Sequence, residues 1–163
     1  KYELLHDRIR LQAVAPMTRK EYFVRGSTAL LDAIGRTIHK IDSVQKATSK
    51  EYRADKVMFL ITTDGMENAS REFAWAQVRK MIERRRKMGW EFIFLGANID
   101  APGIAGRFGI GPDRAANYHA DGEGMRLNFE VVSDAIAEFR ANRPLKADWK
   151  EKIDLDYLRR SKK

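Results

Sequence analysis

The chain of 163 residues is 44% hydrophobic and 33% charged, with a formal net charge of +8. Those proportions fit one soluble globular domain large enough to bury a core, and they exclude a disordered chain. Cysteine is absent, which removes disulfides, zinc–thiolate sites and thiol catalysis from consideration.

Taken in chain order, strand and helix patterns alternate. Residues 2–6 fit a short strand, and Thr18 with Glu21 has the spacing of a capping box. Gly26-Ser27-Thr28 then opens a helix whose apolar positions Leu30, Leu31, Ile34, Ile38 and Ile41 recur every three or four residues. Residues 42–55 read as polar connection. The run Val57-Met58-Phe59-Leu60-Ile61-Thr62-Thr63-Asp64-Gly65 predicts a strand over 57–63, buried on both faces and ending in an acidic turn. A helix over 70–88 follows, with Ser70 as its expected N-cap, Glu72 in its first turn, and Trp75, Val78, Met81 and Ile82 on one face. Gly89 is placed to end it. A second buried strand is predicted over 91–95, closed by Gly96-Ala97-Asn98. Beyond it come a short helix over 100–108, an edge strand over 115–118 and a long amphipathic helix over 127–139. That helix is expected to turn Phe129, Val132, Ile136 and Phe139 inward. Pro144 marks a tail whose Trp149, Ile153, Leu155 and Leu158 suggest a further helix docked on the body.

Strand 57–63, helix 70–88 and strand 91–95 form a βαβ unit, which joins parallel strands by a right-handed crossover. The loops after Thr63 and Leu95 therefore share one rim, the end of the sheet where ligands of such folds bind. The turn Gly26-Ser27-Thr28 opens a helix of the same layer, so Thr28, Asp64 and Asn98 are expected to approach one another there. Their hydroxyl, carboxylate and amide are hard oxygen donors, suited to a magnesium-type cation rather than to zinc or copper. The ordinary alternative is that Asp64-Gly65 is a turn and Ser27-Thr28 a helix cap. Glu67 and Asn68, just beyond, are candidates for shaping the rim loop.

At these residues the chain resembles the von Willebrand factor type A (VWA) domain, in particular small stand-alone bacterial and phage versions. The resemblance rests on Gly26-Ser27-Thr28-Ala29-Leu30-Leu31-Asp32-Ala33-Ile34 paired with Phe59-Leu60-Ile61-Thr62-Thr63-Asp64-Gly65. The helix and strand through Phe94-Leu95-Gly96-Ala97-Asn98 extend it, and it covers about residues 1–140. It implies a three-layer, doubly wound, Rossmann-like and mostly parallel sheet with a metal-ion-dependent adhesion site (MIDAS). In that family a divalent cation, usually Mg²⁺, is held by an Asp-x-Ser-x-Ser loop, a threonine and a later aspartate, and a partner protein's acidic side chain completes the coordination. Thr28 corresponds to the threonine and Asp64 to the aspartate, with Ser27 and Asn98 as further rim residues. The implied role is protein binding without catalysis.

One departure shapes the expectation. No Asp-x-Ser-x-Ser occurs here, and Asp42-Ser43-Val44-Gln45 is the nearest approach. The chain looks like a type A domain lacking its first strand, first helix and second strand, and it starts at Lys1 as if partway through something longer. Thr28 and Asp64 alone are too few donors to hold Mg²⁺, which keeps its waters readily, so no cation is expected on these residues by themselves. A missing central strand would also leave strand 57–63 with an unpaired edge, a site of self-association.

Half of the net charge lies in the tail, residues 141–163, and another basic cluster is Arg84-Arg85-Arg86-Lys87. Without interleaved aromatics or a nucleic-acid motif, both read as solvated surface. A nucleic-acid-associated protein is thus a secondary reading. So is an enzyme on a doubly wound sheet, against which stands the lack of a phosphate loop, a nucleophile elbow or a carboxylate pair. Gly106, Gly109 and Gly111 follow a helix rather than a strand, and His6, His39 and His119 are scattered. With no signal peptide and no apolar run long enough for a bilayer, a cytoplasmic location is expected.

Overall fold

The computed structural model describes residues 2–16, 18 and 26–161. In chain order they form α1 (Leu30–Ala47), β1 (Met58–Thr63), α2 (Trp75–Arg86), β2 (Glu91–Gly96), α3 (Ala101–Arg107), β3 (Ala115–Asn117), α4 (Gly122–Arg140) and α5 (Glu151–Arg160). The three strands make one sheet in the order β1-β2-β3, and both pairings are parallel. β1 meets β2 in the register Met58↔Glu91 through Thr63↔Gly96, and β2 meets β3 from Phe94↔Ala115 to Gly96↔Asn117.

Alternation along β2 divides the core in two. Phe92 and Phe94 face one side, where they pack with Ile61, the α1 residues Leu30, Leu31, Ile34 and Ile38, the α2 residues Val78 and Ile82, and Phe108. Ile93 and Leu95 face the other, against Val131, Val132 and Ala135 of α4 and Ile153 of α5. Helices therefore cover both faces of a small parallel α/β sheet, an arrangement compatible with a Rossmann-like fold. Gly124 allows α4 to start where it does: a Cβ there would lie 2.1 Å from the carbonyl oxygen of His119. Tail and body are tied together as well. Arg114 donates to the Leu145 carbonyl at 2.7 Å, and the Trp149 indole N–H to the Asp113 carbonyl at 2.8 Å.

Several expectations from the sequence need correction. Residues 2–6 form no strand: Leu4 and Leu5 are both exposed, and the segment lies along α1 through Tyr2 Oη to Thr37 Oγ1 (3.2 Å) and Asp7 to Lys40 (2.9 Å). The capping box of Thr18 with Glu21 cannot be placed, because Glu21 lies outside the described residues. Residues 42–47 are helical rather than connection, because α1 runs on with a polar outer face. Helix α2 starts at Trp75 instead of residue 70, since the amides that would open it earlier are bound elsewhere. Strand β1 is not buried on both faces, for Leu60 and Thr62 are exposed at the sheet edge. Helix α4 is five residues longer at its start, with Asp121 as N-cap accepting from the Gly124 amide at 2.9 Å. Of its four expected inward residues only Val132 is buried, whereas Phe129 and Ile136 are exposed. In the tail helix Ile153 is buried but Leu155 and Leu158 are exposed.

Candidate functional site

Parallel pairing puts the carboxyl ends of β1 and β2 on one side, and the turn before α1 arrives at that side. Ser27, Thr28, Thr63 and Asp64 line a common cleft of about 550 Å³ together with Arg36, Arg71 and Tyr2. The Thr28 hydroxyl lies against the Gly65 turn, where a Cβ on Gly65 would stand 3.3 Å from Thr28 Oγ1. Thr63 Oγ1 donates to the Gly65 carbonyl at 2.9 Å and fixes the same turn from beneath. The structure thus brings Ser27, Thr28 and Asp64 together. Asn98 is not among the residues lining this cleft; it occupies the turn after β2 with a positive φ of 58° and an exposed side chain.

The rim is held by a reciprocal set of bonds between the start of α1 and residues 65–73. Helix α1 has no side-chain cap from its own N-terminal turn. Its first amides are satisfied instead by distant residues: Leu31 N–H donates to Glu67 Oε2 at 2.8 Å, and Asp32 N–H to Ser70 Oγ at 3.0 Å. In return Asp32 Oδ2 accepts from the Arg71 amide at 2.9 Å, and Oδ1 from the Glu72 and Phe73 amides at 2.9 and 3.0 Å. Glu67 closes its own turn by accepting from the Ala69 and Ser70 amides at 3.0 and 2.8 Å. Thr28 and Asn68 complete the set, with Thr28 N–H to Asn68 Oδ1 at 2.9 Å and Asn68 N–H to the Thr28 carbonyl at 3.0 Å. Helix N-termini carry orphan amides and partial positive charge, and carboxylates are the natural partners for both.

These bonds set the protonation of the two acids. Burial pushes the Asp32 carboxyl upward, but the amides of Arg71, Glu72 and Phe73 outweigh it and hold the group below its ordinary value. Glu67 behaves the same way: burial raises it, while the Leu31 and Ser70 amides, the Ser70 hydroxyl and the Ala69 amide bring it lower overall. Both are therefore ionised, structural acids. The sequence reading had Glu67 and Asn68 as shapers of this loop, which they are. It missed the part of Asp32, for which an acid in the first turn of a helix was the available signal.

As a cation site the cleft is thin. Of its carboxylates, Asp32 is committed to three amides and Glu72 to Arg36, which leaves Asp64 beside neutral hydroxyls such as those of Ser27 and Thr28. Among the described residues no three acidic or histidine side chains come together as a metal-binding group. These residues do not by themselves fit Mg²⁺, which needs an octahedral oxygen shell.

The remaining candidates have structural partners. Arg85 of the basic cluster pairs with Asp42, Nε to Oδ1 at 2.7 Å, and Arg86 donates to the Gly109 carbonyl. Trp75 packs on Phe108 and Trp90 on Phe92, with ring centroids 4.7 and 6.2 Å apart. His119 stacks on Tyr157. No described helix is long and apolar enough to cross a membrane. The chain matches no known family model, and no curated protein or solved structure is similar to it.

Proposed function

We propose that this chain is a protein-interaction module of the VWA type, binding at the carboxyl rim of a doubly wound sheet and catalysing nothing. The observation that carries the reading is the meeting of Thr28 and Asp64 in one cleft, on the two elements where the resemblance puts them. The cleft is also rigid at its base, because Asp32, Glu67 and Ser70 bind the amides around it. Arg36 is paired with Glu72, and Arg71 on the same wall suits a partner's acidic side chain. Magnesium belongs to this reading only where further oxygen donors join Thr28 and Asp64.

The test is a titration. A short acidic peptide added to the isotope-labelled protein should shift the amide signals of residues 27–28, 64–65 and 71 first, and Arg71→Glu should abolish that selectivity. Shifts that are uniform, or unchanged in Arg71→Glu, remove the rim as the binding site.

A further inference from the structure

Helix α2 carries charge that the body of the protein does not use. Residues 75–88 hold six basic side chains and one acidic, a net +5 within a chain of net +8. Val78 and Ile82 bury one side of the helix against the sheet, and the cations divide among the other sides. Toward α1, Arg85 is bound to Asp42, Nε to Oδ1 at 2.7 Å. Toward α3, Arg79 is bound to Glu83 at 2.8 Å and Arg86 to the Gly109 carbonyl. Lys80, Arg84 and Lys87 remain. Their spacing of four and three residues sets them in one row on the outward face, spanning about 10 Å at about 1.5 Å per residue. All three are exposed, and none forms an ion pair among the described residues. The helix dipole favours cations in the last turn, which accounts for Arg84 and its neighbours but not for Lys80 in the middle. The row lies across the sheet from α4 and lines no part of the rim cleft.

We propose that this row binds the phosphate backbone of a nucleic-acid duplex without reading its sequence. Each strand of a duplex carries one phosphate per about 3.4 Å of axis, so a row of about 10 Å meets about three phosphates. The chemistry of the face selects the partner. Within residues 75–88, Met88 is the only exposed large apolar side chain. Protein interfaces draw their energy from buried aromatic and apolar anchors, and an interfacial membrane helix needs an apolar face. This face offers neither. Single strands are held by stacking their bases on exposed rings. The Trp75 ring is not open to that use, since the Arg107 guanidinium lies 3.5 Å from its centroid and Phe108 packs at 4.7 Å. Cations without rings or apolar anchors fit backbone contacts, which position a protein on a duplex and carry no sequence information.

Fluorescence anisotropy with a short labelled DNA duplex tests this on the full chain. Binding should be the same for unrelated sequences, and log K should fall against log salt with a slope of about −2.7, a loss of about fortyfold between roughly 50 and 200 mM. Lys80→Gln, Arg84→Gln and Lys87→Gln together should weaken binding by about tenfold or more with unchanged circular dichroism, and Arg84→Gln alone should reduce the slope by about 1. Arg126, Arg143 and Lys146 are exposed on other elements. Their triple change to Gln gives the same net charge and should leave the slope as it is. Equal losses in the two triple variants overturn the proposal, as does a wild type that binds no duplex or binds a single strand more tightly. An acidic peptide that shifts the amides of residues 80, 84 and 87 where the duplex does not would assign the face to an acidic protein and overturn it too. Arg71→Glu, which reads the rim, leaves the row intact, so either conclusion can fail alone.

Discussion

At the scale of single residues, two buried polar groups have opposite fates. Asp32 is 9% exposed and accepts three amides. Asp32→Ala leaves those amides unpaired, and chemical denaturation should show a loss of about 3 kcal/mol, as expected when hydrogen bonds to a charged group are removed. Asn128 is 4% exposed in the groove under β1, and neither its Oδ1 nor its Nδ2 has a partner among the described residues. A carboxamide in that position is a cost, so Asn128→Leu should leave the fold intact and raise the denaturation midpoint, by about 1 kcal/mol in stability. A fall in stability would mean that Asn128 has a partner in solution. Neither role was visible in the amino-acid order alone. Asp32 sits among helix-forming residues and binds amides some forty positions away, and Asn128 differs from its neighbours only in where the helix turns it.

At the scale of elements, periodicity predicted the layers well and their limits poorly. β2, α3 and β3 lie within a residue or two of expectation, because short apolar runs bounded by glycine and proline leave few alternatives. The start of α2 was misplaced, since Ser70 has the chemistry of a cap but uses its hydroxyl on α1 and Glu67. Such a choice is tertiary and local rules do not contain it. The same holds for the rim: Thr28 and Asp64 were legible through their motifs, while Asn98 was placed by its proximity to a strand end and the turn takes it elsewhere. The packing of α1 on the segment after Ser70 also depends on one missing side chain. A Cβ on Gly35 would fall 2.6 Å from ring atoms of Phe73. Gly35→Ala should therefore destabilise the protein by about 1–3 kcal/mol despite the better helix propensity of alanine, and Gly35→Ala with Phe73→Leu should recover part of that loss.

At the scale of the whole molecule, the acids of the rim tie stability to pH. Asp32 and Glu67 are both held below their ordinary values of 3.8 and 4.5. A group depressed in the folded state contributes stability that is present above its unfolded value and lost as pH falls toward its folded one. Stability should then be level from neutral pH to about 5 and decline below that, while Asp32→Asn, weaker at neutral pH, should show a shallower acid decline. Parallel slopes for the two proteins in acid denaturation would show that the carboxylates do not carry the effect. The sheet edge belongs to this scale too. The predicted inward face of α4 and the predicted two-sided burial of β1 failed at the same place, where Leu60 and Phe129 line one groove.

The reciprocal bonds between α1 and residues 65–73 bear on how the rim moves. Irregular loops usually exchange their amide hydrogens quickly, because opening them breaks little structure. Here the amides of Ala69 through Phe73 each end on a carboxylate oxygen, and those of Leu31 and Asp32 end on the loop in turn. Deuterium can enter the amides of Arg71, Glu72 and Phe73, which end on Asp32, only when α1 lifts from the loop, so these three and the start of α1 should exchange as one slow unit. Whatever binds beside Asp64 would then meet a surface already set in shape, and would lose little entropy in ordering it.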